Sequence, residues 1–156
     1  DRQNDVAQIG LVERHRGTGG VVNAFLSGFG YTQDCAIAST VAHDSHHMIV
    51  VGTDRAMMAA AANSLAAFGG GFSLWKDGAE LARVPLPIAG LMSDRPAIEV
   101  ATQATRLVEA MAECGCTLNN ANMQHAFLAL VVIPELRISD LGLVDVTEFK
   151  LTEVFS

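Results

Sequence analysis

Ala36-Ile37-Ala38-Ser39-Thr40-Val41-Ala42-His43-Asp44-Ser45-His46-His47-Met48-Ile49-Val50-Val51-Gly52-Thr53 sets a dense polar cluster between two apolar runs. Residues 37–41 are short, β-branched and interleaved with small side chains, and residues 48–51 are continuously apolar. Both read as buried strands. Three imidazoles, a carboxylate and a hydroxyl stand between them within five residues. Burying polar groups without partners is costly, so a cluster joining two core strands needs either a ligand or internal hydrogen bonds. Histidine exchanges protons and binds metals near neutral pH, which makes residues 43–47 the candidate site. A self-satisfied strand connection explains the same residues.

Outward from this stretch, composition narrows the class. The 156 residues suit one domain, 1–156, with room for a sizeable core. Half the residues are hydrophobic and 17% are charged, with a mean hydropathy of +0.30. So little charge predicts that part of the surface is an interface. A formal charge of −7 argues against nucleic-acid binding. No apolar run reaches the length of a membrane span, and none reads as a signal peptide. Because residue 1 is Asp, the chain is expected to be processed or cut from a longer one. Three cysteines, Cys35, Cys114 and Cys116, form no disulfide framework, which predicts reduced thiols and a cytoplasmic location. Cys114-Gly115-Cys116 reads as the end of a helix, and no second pair follows at zinc spacing.

Taken in order, residues 6–13 and 21–26 read as strands joined by a glycine-rich turn at 14–20 that lacks a phosphate-binding fingerprint. Thr53 or Asp54 caps a helix over 55–68, with Met58, Ala61, Ala62 and Leu65 at helical spacing, and Gly69-Gly70-Gly71 stops it. Residues 72–75 and 79–84 read as a hairpin around Asp77-Gly78. Pro85 and Pro87 exclude a regular central strand from the apolar run 85–92, which is expected to pack under the domain or against a partner. Ser93 or Asp94 caps a helix near 95–114 carrying Ile98, Ala101, Thr105, Val108 and Ala112 as its apolar stripe. Residues 123–133 are expected to begin as a helix and end as a strand, and 143–149 to add an edge strand. The fold class is therefore α+β: mixed or antiparallel layers of about six to eight strands with two main helices, near 54–68 and 95–114.

Five segments together carry a resemblance. They are residues 36–53, Gly69-Gly70-Gly71, residues 85–94, residues 127–138 and Gly142-Leu143-Val144-Asp145-Val146. In this order they closely resemble the C-terminal domain of bacterial adenine deaminases of the amidohydrolase superfamily, over about residues 9–150. The resemblance implies an enzyme that hydrolyses adenine to hypoxanthine and ammonia. It also implies manganese or iron held by a separate N-terminal (β/α)-barrel of the same polypeptide. A metal supplies hydroxide at neutral pH, and an acid/base group protonates the departing amine. None of the barrel's metal motifs occurs here, so the chain is expected to be an accessory domain, inactive alone and holding no metal itself. Its expected partners are that barrel, adenine through the parent enzyme, and further copies in a homo-oligomer. The family pattern His-Asp-Ser-His-Asn has His47 in its last position here, and Ala126, after His125, stands where the family usually has Ser.

The resemblance leaves three roles for the cluster. In the first, His43, Asp44, Ser45 and His46 face the barrel mouth and exclude water or touch substrate. In the second they bond to one another and fix the strand join. In the third, His43 and His46 ligate a metal, completed by Asp44 or His47, which needs three or four convergent donors. A free-standing binding or oligomerisation module, associating through the 85–92 face, is the alternative outside enzymology.

Overall fold

The two apolar runs around the histidines become the centre of a sheet. The computed structural model describes residues 1–155. In it β3 (Cys35–Ser39) and β4 (Met48–Gly52) are buried along their whole length. They are flanked by β1 (Val6–Val12) and β2 (Val21–Ser27) on one side and by β5 (Gly71–Lys76) and β6 (Ala79–Pro85) on the other. The six-stranded order is β2-β1-β4-β3-β5-β6, and each pairing is antiparallel. Strand β3 lies two residues earlier than the 37–41 reading. The Ser39 hydroxyl accepts from Val41 N at 2.9 Å and turns the chain there, a side-chain bond that competes with the ladder.

One face of this sheet is closed by α1 (Arg55–Ala67). Asp54 caps it, its Oδ1 accepting from Met57 N at 2.9 Å. Thr53 instead ties the start of β3, donating to Gln33 O at 2.8 Å. Met57, Ala61 and Leu65, spaced four apart, pack on Ala36, Ala38, Met48 and Val50. The helix sits close because its floor is small: a Cβ on Gly52 would stand 2.6 Å from Met58 Cγ and 2.8 Å from Ala36 Cβ. The three glycines after Phe68 all have positive φ, so they turn the chain straight into β5.

The opposite face meets α2 (Ala97–Glu113), α3 (Ala121–Ala126) and a second antiparallel sheet, β7 (Leu136–Ser139), β8 (Gly142–Asp145) and β9 (Lys150–Thr152), in that order. Ile9, Leu11, Ile37, Ile49, Val51 and Leu74 form this side of the core with Leu107 and Met111 of α2 and Ile138 of β7. The α+β class stands, with nine strands among the described residues where six to eight were expected. No helix among those residues is long and apolar enough to cross a membrane.

Several expectations are corrected. Helix α2 buries Leu107, Ala110 and Met111, with Val100 packed alongside, while Ile98 and Val108 point outward with Ala101, Thr105 and Ala112. Both faces are rich in apolar residues, and the longer side chains of Leu107 and Met111 took the inside. Pro96 occupies the cap position without a side-chain bond; Ser93 Oγ bonds Arg95 N outside the helix. Residues 123–133 hold no strand: α3 ends at Ala126, a 3-10 turn covers Phe127–Ala129, and further turns follow. The expected edge strand at 143–149 stops at Asp145 and is the middle strand of its sheet, because Lys150–Thr152 pairs on its far side.

Candidate functional site

The polar cluster is the connection between β3 and β4, at the end of the sheet's two central strands. Because β1 runs beside β4 with Val12 opposite Met48, the residues after Val12 lie opposite those before Met48. Glu13, Arg14 and His15 are thereby brought onto the cluster. Arg14 Nε donates to His46 O at 2.6 Å and Arg14 Nη2 to Ala89 O at 2.9 Å, so one guanidinium clamps this connection to the 85–92 segment. His15 Nε2 donates to Ser45 O at 2.6 Å. Thr40 Oγ1 donates to Gly90 O at 2.6 Å and accepts from Gly71 N at 2.8 Å. Leu86 and Gly90 of the 85–92 run are buried by this clamping, leaving Ile88 and Met92 as its exposed large side chains.

His46 belongs to the scaffold. Its N–H donates to Ala42 O at 2.7 Å, and its Nδ1 accepts from Ala42 N at 3.4 Å. Burial, then the neighbouring His43, pushes its imidazole below the ordinary histidine range. His47 is buried: its Nδ1 accepts from Arg14 N at 3.4 Å, and its ring packs 4.6 Å from that of His15. Burial lowers its pKa too, against the pull of Asp140, which lies 3.8 Å from Nε2. Glu13 accepts from Arg16 N at 2.7 Å and Thr18 N at 3.1 Å, bonds that hold its carboxyl at about 2.

His43, Asp44 and Ser45 are different. The His43 N–H donates to Ala126 O at 3.1 Å, and its ring is wedged between His46 at 5.3 Å and Phe127 at 5.7 Å. One side of that ring stays accessible, with Nδ1 3.6 Å from Asp44 Oδ1. The Asp44 and Ser45 side chains are exposed. They form one wall of a cavity of about 440 Å³ whose other walls include Val132, Leu141 and Phe149. The arrangement is a braced turn offering one carboxylate, one hydroxyl and one ring edge outward. Among the described residues no group of three or more His, Cys, Asp or Glu side chains is placed to hold a metal ion. The local donor set among these residues therefore does not fit manganese or iron.

The sequence reading brings together His43, Asp44, Ser45 and His46 but misses Glu13, read as the end of the first strand, and Arg14 and His15, read as part of the glycine-rich turn. Only the β1–β4 pairing, a contact across the whole intervening chain, reveals them. His125 was noticed only as a neighbour of Ala126. It is fully buried, neither ring nitrogen has a hydrogen-bond partner among the described residues, and burial pushes it down to about 3.

Comparison with known proteins adds the rest. The family described as the adenine deaminase C-terminal domain matches residues 1–150. The chain is 75% identical over 149 residues to adenine deaminase 1 of Jannaschia sp. (strain CCS1), covering 96% of this chain and 25% of that protein. It is 74% identical over 148 residues to the adenine deaminase of Ruegeria sp. (strain TM1040), covering 95% and 25%. The adenine deaminase of Moorella thermoacetica is 48% identical over 152 residues, covering 97% and 25%. The chain thus spans about a quarter of the length of the curated relatives it matches.

Proposed function

Because the chain belongs to the adenine deaminase C-terminal domain family, we propose that it is the accessory domain of an enzyme converting adenine and water to hypoxanthine and ammonia. In that reaction the exocyclic C6–N bond of the purine breaks and a C6–O bond forms; water supplies the oxygen, one of its hydrogens leaves with the amino group as ammonia, and the other ends on ring N1 of hypoxanthine. Manganese or iron in an N-terminal barrel of the same cytoplasmic polypeptide supplies the activated water. This domain packs against that barrel and closes its active site with the β3–β4 connection.

The observation that carries the reading is the division of labour within residues 43–47. His46 and His47 are spent on internal bonds, with Arg14 and His15 gripping the backbone. Asp44 and Ser45 are left facing out from a braced support, with His43 beside them. Groups meant to meet a substrate or a domain seam need such support, since small displacements at a reacting centre are costly. His46 is accordingly a positioning residue, while Asp44, Ser45 and the His43 edge reach the seam.

Hypoxanthine release by the full-length polypeptide and by the 156-residue chain tests this. The expected result is activity in the former and none in the latter. Release by the isolated chain would remove the accessory reading, and an inactive, metal-loaded full-length protein would remove the deaminase reading.

A further inference from the structure

The second sheet is covered on one side only. Ile138 is buried against the core, but Val132 is 69% exposed, Leu141 77% and Phe149 91%. With Leu151, also exposed, they line the cavity of about 440 Å³, whose polar lining is Asp44 and Ser45 from the β3–β4 connection together with Ser139, Asp140 and Lys150. A small-molecule pocket encloses its ligand, and its walls are buried in doing so. Walls as open as these form a groove, and an apolar groove with a polar edge matches a protein interface.

Resting on the function proposed above, we infer that this groove is the seat of the polypeptide that precedes the domain in the full-length protein. Two observations choose that occupant. The chain is a quarter of the length of its relatives, so in such a protein about three-quarters of the polypeptide lies outside the structure and is tethered covalently to this domain, which gives it a high effective concentration at any uncovered face. The groove is also continuous with Asp44 and Ser45, so a segment seated in it brings the outward-facing polar groups to the domain seam. A second copy is disfavoured by the formal charge of −7, which makes like chains repel.

The test is thiol labelling of the full-length protein under native conditions. Leu141→Cys and Phe149→Cys are compared with Ala79→Cys, an exposed site on the edge strand β6 at the far side of the six-stranded sheet. The unsubstituted protein, whose Cys35, Cys114 and Cys116 are buried in this domain, gives the background. The inference expects both groove positions to react about ten-fold or more slowly than Ala79→Cys, at every protein concentration. Equal rates at all three sites would overturn it. Protection that fades on dilution would give the face to a second copy and overturn it equally. Labelling needs no adenine and the hypoxanthine assay needs no thiol, so failure of the inference and failure of the deaminase reading are told apart.

Discussion

The two sheets of this chain are built by the same antiparallel pairing and treated in opposite ways. The six-stranded sheet is closed on both faces, by α1 on one side and by α2, α3 and the second sheet on the other. The three-stranded sheet buries Ile138 inward and leaves Leu151 bare, together with Leu141 and Phe149 of the turns that lead into β8 and β9. Hydrophobicity alone does not distinguish them. The difference is that the first sheet completes its core within the chain, whereas the second leaves apolar surface uncovered among the described residues. The His43–Ser45 turn lies where the two meet, which is why scaffold and outward-facing groups stand side by side there.

The junction between the sheets is where the comparison can be broken most severely. His125 sits in α3, which packs on α2, and the turn after α3 packs on β7. Its folded pKa is about 3, below the ordinary 6.5. As pH falls, the unfolded chain therefore takes up the proton first. This contribution to stability is complete above pH 6.5 and is lost between 6.5 and 3, by on the order of 5 kcal/mol. His46 and His47, also lowered by burial, tilt the curve the same way. Urea unfolding across this range should show the slope, and His125→Gln should flatten it. An unchanged slope in His125→Gln would remove His125 as its source.

The closed face sets the next expectation. Leu65 is fully buried between α1 and the sheet, so Leu65→Ala should cost about 3 kcal/mol by losing burial and leaving a cavity. Calorimetric melting reads this directly. A cost under about 1 kcal/mol would mean that α1 is not a tight cover. The bare face gives the smallest effect: Phe149→Ser in the isolated domain should change stability by no more than about 0.5 kcal/mol, because the ring touches little there. In the full-length protein the same change should lower stability measurably, and equal effects in the two settings would erase the contrast between the faces.

The closed sheet was largely legible in the sequence, and the site and second sheet much less so. The Met48–Gly52 run, the Asp54 cap, the triple-glycine stop and the Asp77-Gly78 hairpin are local signals, each written within a few residues. The inward face of α2 was not legible, because apolar residues occupy both sides and only the neighbouring strands decide which turns in. Strand β9 is three residues long and offers no periodicity. Residues 43–46 announced themselves by composition, but Glu13, Arg14 and His15 join them only through strand pairing, which no local pattern encodes. His47 looked like one more member of the cluster; burial makes it scaffold.

The central claim is that His43 and Asp44 face a reaction seam while His46 supports them. Adenine turnover and melting temperature of the full-length protein, with each residue changed to Ala in turn, test it most directly. The account predicts that Asp44→Ala lowers kcat/KM by about 100-fold or more with melting unchanged and that His43→Ala does so by far more than its loss of packing against Phe127 lowers melting, whereas His46→Ala lowers the melting temperature. If His43→Ala and Asp44→Ala leave turnover intact, or lose activity only in step with stability, the turn is a strand connection and nothing more.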